Sequence, residues 1–303
     1  MGALKLWYEK MTFQSLLKNA KFAEARKALA KAIEKAETRT HENLLPKMTQ
    51  AKGGRWVMND TPPALFHVKG ASTLIDAKDA SMRLDMKKVA TGLGFTHYLS
   101  TLPQGTATLL GRFRFEDHAF KVVGVGSVGT RCLVMLMRDG QDNPLFLQIK
   151  EAGRSVLAPY VTRSSTVPSH QGQRVVYGQR MMQFASDQFL GWTTGPLGRQ
   201  FYVRQLRDMK FSFEIETFSE FLFGRYAFLC ADILARAHAR SGGLAPQISG
   251  YLGKSGAFAE AIVKYAGNYA DQVERDFAAF RAACRKGRLL ARTDNDFRAD
   301  FGA

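Results

Sequence analysis

One run of six residues, Gly124-Val125-Gly126-Ser127-Val128-Gly129, limits the folds open to this chain more than any other segment. Its G-x-G-x-x-G spelling is weak alone: the chain holds 27 glycines, and at that abundance chance gives about 0.2 matches. The flanks discriminate. Residues 120–123 read as a strand, and residues 130–137 alternate as a second one. A dinucleotide-binding fold needs its third glycine to open a helix, so that fold is excluded. Strand, glycine loop, strand is the order of the protein-kinase nucleotide loop. Glycines there let backbone N–H groups reach phosphate oxygens with no Cβ in the way.

Such a loop needs a cation on the next strand. Asp139-Gly140 signals a hairpin, and residues 145–150 form the third strand. Alternation puts Phe146, Gln148 and Lys150 on one face, and Leu147 and Ile149 on the other. The candidate site is therefore Gly124, Gly126, Ser127 and Gly129 cradling phosphates with Lys150 neutralising them, the ligand being ATP with Mg²⁺. Residues 202–206 would offer backbone groups to the base. The competing reading is a plain hairpin with tight turns and an exposed lysine. A kinase lysine is oriented by a Glu on the following helix. The helix expected over 172–189 has none; its one acid is Asp187, near its end. Glu151 should point away from Lys150, which leaves Asp208 as the substitute. No catalytic residue is assigned.

The rest of the chain is mainly helical. Residues 1–50 keep helical spacing, and Gly53-Gly54 with Asn59-Asp60-Thr61-Pro62-Pro63 mark a boundary after them. Helical patterns return over 80–99 and 106–113. A strand over 201–206 precedes helices over 218–240 and 258–285. In the last, Phe258, Ile262, Tyr265, Tyr269, Val273, Phe277 and Phe280 hold a helical period that reads as core. The expected class is α+β: a small antiparallel sheet with a glycine-rich hairpin loop, like a kinase N-lobe, plus a helical bundle from both chain ends. The expected division is 1–60 (helical segment), 61–217 (sheet and nucleotide loop) and 218–303 (helical lobe).

Charge adds a second candidate. Lys and Arg number 43 against 27 Asp and Glu, a net +16, and residues 1–55 hold 12 basic and 5 acidic residues. Lys27, Lys31 and Lys35 form one row on a helix, which suits either a solvated face or a polyanion such as nucleic acid. No aromatics interleave with them, so nucleic acid is the less favoured partner. Cys132, Cys230 and Cys284 lie far apart with no C-x-x-C, and the six histidines lack zinc spacing. No metal site is expected, and a reducing cytoplasm is the simplest setting. The greasiest stretch, 218–231, is broken by Glu220 and Arg225, so neither a membrane span nor a membrane partner is expected.

Other motifs close quickly. Gly250, Gly253, Lys254 and Ser255 resemble the end of a Walker A loop, but Ile248 stands where its first glycine belongs and no strand precedes it. No G-x-S-x-G elbow supports hydrolase chemistry.

Longer strings carry a resemblance. Those starting at Lys121 (KVVGVGSVGTR), Leu147 (LQIKEA), Gly172 (GQRVV), Gly178 (GQR), Tyr202 (YVRQLRDMK), Leu234 (LARAHARSG) and Tyr269 (YADQ) resemble the bacterial family catalogued as domain of unknown function 2252. The resemblance runs over nearly the whole chain. It implies longer members whose N-terminal part carries a Gly-Asp-x-His-x-x-Asn stretch and a later Asp-rich stretch. Those are similar to the catalytic loop and metal-binding acids of aminoglycoside-phosphotransferase-type kinases. This chain has neither stretch, so the resemblance implies a truncated member or fragment, inactive alone, that acts on a small-molecule or protein substrate in longer form. The alternative is a noncatalytic kinase-like binding module.

Overall fold

The computed structural model describes residues 12, 16–18, 20, 22–37, 40–67, 92–122, 130–161, 168–183, 185–206 and 213–289. The chain divides into two compact units, Met1–Ser241 and Gly242–Ala303.

In the first unit, helix α1 (Ala23–Glu37) buries Leu29, Ala32 and Ala36, the i, i+3, i+7 stripe of an amphipathic helix. Helix α2 (His41–Met48) starts where the Thr40 side chain accepts the Asn43 N–H, and it buries Leu44 and Met48. Strands β1 (Thr49–Lys52) and β2 (Arg55–Met58) come next as a hairpin. Gly53 and Gly54 are therefore its turn, with φ of 58° and 75°. Two adjacent positive φ values suit the right-handed strand twist, and glycine takes them without strain. The stretch expected as wholly helical thus ends in a hairpin.

A six-stranded antiparallel sheet is the centre of the unit, ordered β3-β4-β5-β6-β8-β7. Its strands are β3 (Leu65–Phe66), β4 (Arg114–Lys121), β5 (Cys132–Arg138), β6 (Pro144–Glu151), β7 (Gly191–Thr194) and β8 (Gln200–Gln205). Every residue of β5 is buried, as expected of a strand covered on both faces. On one face Met135, Met137, Leu145, Leu147 and Val203 pack with Tyr98, Leu102, Leu110 and Phe189. The first three of those partners come from α3 (Leu93–Ser100), α4 (Gln104–Leu110) and the turn between them. On the other face Ala119, Val134, Leu136 and Phe146 pack with Leu44, Met48, Met58 and Leu65.

Helix α5 (Gln171–Met182) links β6 to β7 and is shorter than expected. Gly172 and Val176 are its buried residues, and the chain has left the helix before Ala185 and Phe189. The Asp187 carboxylate instead accepts the N–H groups of Phe189 and Gln205 at 2.9 and 2.6 Å, pinning the turn into β7. The unit ends with α6, part of a helix over Glu220–Gly242.

The second unit carries α7 (Ala245–Leu252) and α8 (Ala257–Arg285). Gly250 lies inside α7 rather than in a loop. The core expected along α8 is absent: Phe258, Ile262, Tyr265, Tyr269, Val273, Phe277 and Phe280 are all exposed. Period alone reports which side chains share a helix face, not whether anything covers that face.

Candidate functional site

The sheet carries Lys150 to the end of β6, where the connection between β4 and β5 begins and ends. The four loop positions Gly124, Gly126, Ser127 and Gly129 lie outside the described residues, as does Asp208. The stems of that connection are described. Val122 donates its N–H to the Ala64 carbonyl at 2.9 Å, and Glu151 donates to the Arg131 carbonyl at 2.8 Å. The Arg131 N–H returns a bond to the Glu151 carboxylate at 3.1 Å.

Register sets the neighbours of Lys150. It stands opposite Cys132, the first residue of β5, and opposite Tyr202 on β8. Tyr202 in turn pairs with Trp192 on β7. Paired residues project to the same face, so these side chains make one row across four strands. The Tyr177 ring from α5 meets Trp192 edge-on, centroids 6.0 Å apart. The Cys132 thiol is buried; burial pushes it up to about 11, against the pull of Lys150 and of Lys121 at the end of β4. Two lysine ammoniums therefore concentrate positive charge around a neutral thiol.

Glu151 does point away from Lys150. Its carboxylate takes the Arg199 and Arg131 guanidiniums at 2.8 and 3.2 Å. Burial works to raise this carboxyl, but hydrogen bonds from Arg199 and Arg131 outweigh it and hold the group below the usual carboxylate range. Among the described residues no carboxylate lies within 4.0 Å of the Lys150 ammonium, and α5 carries no acid at all. Lys150 is half-buried and lacks a counter-ion there. A cation in that state gains most from an anion brought by a ligand.

Two further expectations meet specific contacts. Backbone groups of residues 202–206 are partly committed: the Gln205 N–H goes to Asp187 and the Leu206 N–H to the Phe146 carbonyl at 2.9 Å. In the basic row, Lys31 and Lys35 both reach the Glu214 carboxylate at 3.3 Å, a neutralisation within the chain. Neither Lys121 nor Cys132 is marked as functional by local sequence, because only the strand register sets Cys132 beside Lys150 and brings Lys121 to the other side of that thiol.

Together these features define an α+β protein whose antiparallel sheet carries, at the stems of a glycine-rich connection, a lysine with no carboxylate partner among the described residues. The family described as "uncharacterized protein conserved in bacteria", domain of unknown function 2252, matches residues 1–283, and the chain belongs to it. No curated protein and no solved structure matches the chain. Among the described residues no helix is long and apolar enough to cross a membrane, and no three His, Cys, Asp or Glu side chains gather to hold a metal.

Proposed function

We propose that the chain is a kinase-like nucleotide-binding protein in which Gly124, Gly126, Ser127 and Gly129 cradle the phosphates of Mg-ATP and Lys150 neutralises them. The observation that carries this reading is the half-buried Lys150 ammonium without a carboxylate partner among the described residues. It sits on the third strand of a meander whose first two strands are joined by the glycine-rich connection, and a helix comes after it. That is the order in which protein kinases place loop, lysine and helix. Lys121 adds a second positive charge at the same end of the sheet. The Mg²⁺ would arrive with the nucleotide, and a small molecule or protein would be the phosphoryl acceptor.

Isothermal titration of the purified chain with Mg-ATP tests the reading. Binding is expected, and Lys150→Ala should weaken it about 10- to 100-fold, the loss of one charge-assisted phosphate contact. Because Lys150 makes no ion pair among the described residues, the variant should melt within a few degrees of the parent. Equal affinity in a folded variant would refute the assignment.

A second reading, a noncatalytic binding module, rests on α5 having no Glu to orient Lys150. It expects nucleotide or metabolite binding with no phosphoryl transfer. The polyanion reading is the weakest of the three, since Glu214 already engages Lys31 and Lys35.

A further inference from the structure

Directly after β6 the chain forms an apolar tip. Val156, Leu157, Tyr160 and Val161 are 84, 62, 84 and 60% exposed, four large apolar side chains within six residues. The tip is ordered by its own hydrogen bonds. Ala158 donates to the Ser155 carbonyl and Tyr160 to the Leu157 carbonyl, both at 3.0 Å, while the Leu157 N–H meets the Ser155 hydroxyl at 3.3 Å. A turn that satisfies backbone groups internally can enter an apolar medium at lower cost.

The base of the tip is basic. Arg131 and Arg199 both hold Glu151, Arg174 donates to the Gly153 carbonyl at 3.0 Å, and Arg154 stands exposed. Two guanidiniums thus share the Glu151 carboxylate, and two more, Arg174 and the exposed Arg154, lie beside the start of the apolar turn on a chain of net charge +16.

We propose that residues 154–161 dock this protein on an anionic lipid surface, with Val156, Leu157 and Val161 entering the acyl boundary. Tyr160 would lie at headgroup level, and Arg154, with Arg174 behind it, would face lipid phosphates. Chemistry and size both favour lipid over a protein partner. Shallow insertion needs only a few apolar side chains backed by basic ones. A stable protein interface needs roughly 800 Å² from each side, more than a four-residue tip supplies.

Flotation of the full chain with lipid vesicles tests this. Vesicles of phosphatidylcholine with about one third phosphatidylglycerol should carry the protein, pure phosphatidylcholine should not, and rising salt should release it. Leu157→Asp with Tyr160→Asp should weaken binding at least about tenfold, and Arg154→Glu about threefold or more. All three side chains are exposed, so unchanged circular dichroism is expected. No binding to anionic vesicles, equal binding by the double variant, or equal binding to neutral vesicles would each overturn the proposal. Retention on immobilised polyglutamate without vesicle binding, abolished by the double variant, would assign the tip to an acidic protein and overturn it as well.

Discussion

His67 holds three strands through two carboxylates. Its Nδ1 meets Asp60 at 2.8 Å and its Nε2 meets Asp117 at 3.0 Å, while Asp117 also accepts the Met58 N–H at 2.7 Å. With both nitrogens on acceptors the ring is held as imidazolium. The hydrogen bond that the ring donates to Asp117 raises His67 to about 9, with burial opposing and Asp60 helping. Burial works to raise the Asp117 carboxyl, but the bonds from His67 and Met58 bring it below the usual range. The raised histidine contributes stability in full below about 6.5, and that contribution is lost as pH rises through about 9. The lowered carboxylate contributes above its ordinary range, and its share is lost as pH falls through its folded value. The site is still partly open to water, which screens the pair, so about 1–2 kcal/mol is expected from His67 rather than the full linkage value. Melting temperatures between pH 6 and 10 should fall for the parent and stay flatter for His67→Ala, which should start lower. Parallel curves for the two proteins would show that the ring is not held charged. No sequence pattern marks this cluster, because the turn over 61–65 brings Asp60 to His67 but only the pairing of β3 with β4 adds Asp117.

At the scale of elements, α5 is seated by a glycine. A Cβ at Gly172 would stand 2.1 Å from the Phe201 carbonyl oxygen on β8, a backbone atom that cannot step aside. The close approach lets α5 lie against β7 and β8, with the Arg180 guanidinium donating to the Leu190 carbonyl at 2.6 Å. Gly172→Ala should therefore cost about 2–3 kcal/mol by overpacking and lower the melting temperature by roughly 5 °C or more. Gly178→Ala tests the contrast. Nothing lies within 4 Å of a Cβ there, so a neutral or slightly stabilising change is expected from helix propensity. Melting both variants measures the difference, and equal melting points would mean that α5 is not packed this closely.

Across the whole molecule, burial is uneven. Strand β5 is buried along its full length, whereas α8 buries none of its 29 residues. A helix without tertiary cover has only marginal stability. Hydrogen exchange should track this difference. Peptides from Cys132–Arg138 should stay protected for roughly hours, and those from Ala257–Arg285 should exchange within roughly minutes; equal protection would show that α8 is covered in solution. The sequence alone determined the α+β class, that a strand stands on each side of the glycine run (though the first, expected over 120–123, is Arg114–Lys121), the face of β6 that carries Lys150, and the extent of α8 to within a residue at its start. Those features arise from local periodicity and turn chemistry, which act between near neighbours in the chain. Only the tertiary structure decided that β7 pairs at the sheet edge, that Cys132 stands between Lys150 and Lys121, that Glu151 serves two arginines, and that the apolar face of α8 is exposed. These are contacts, or missing contacts, between residues far apart in sequence. Their energies depend on register and burial, which no local window contains.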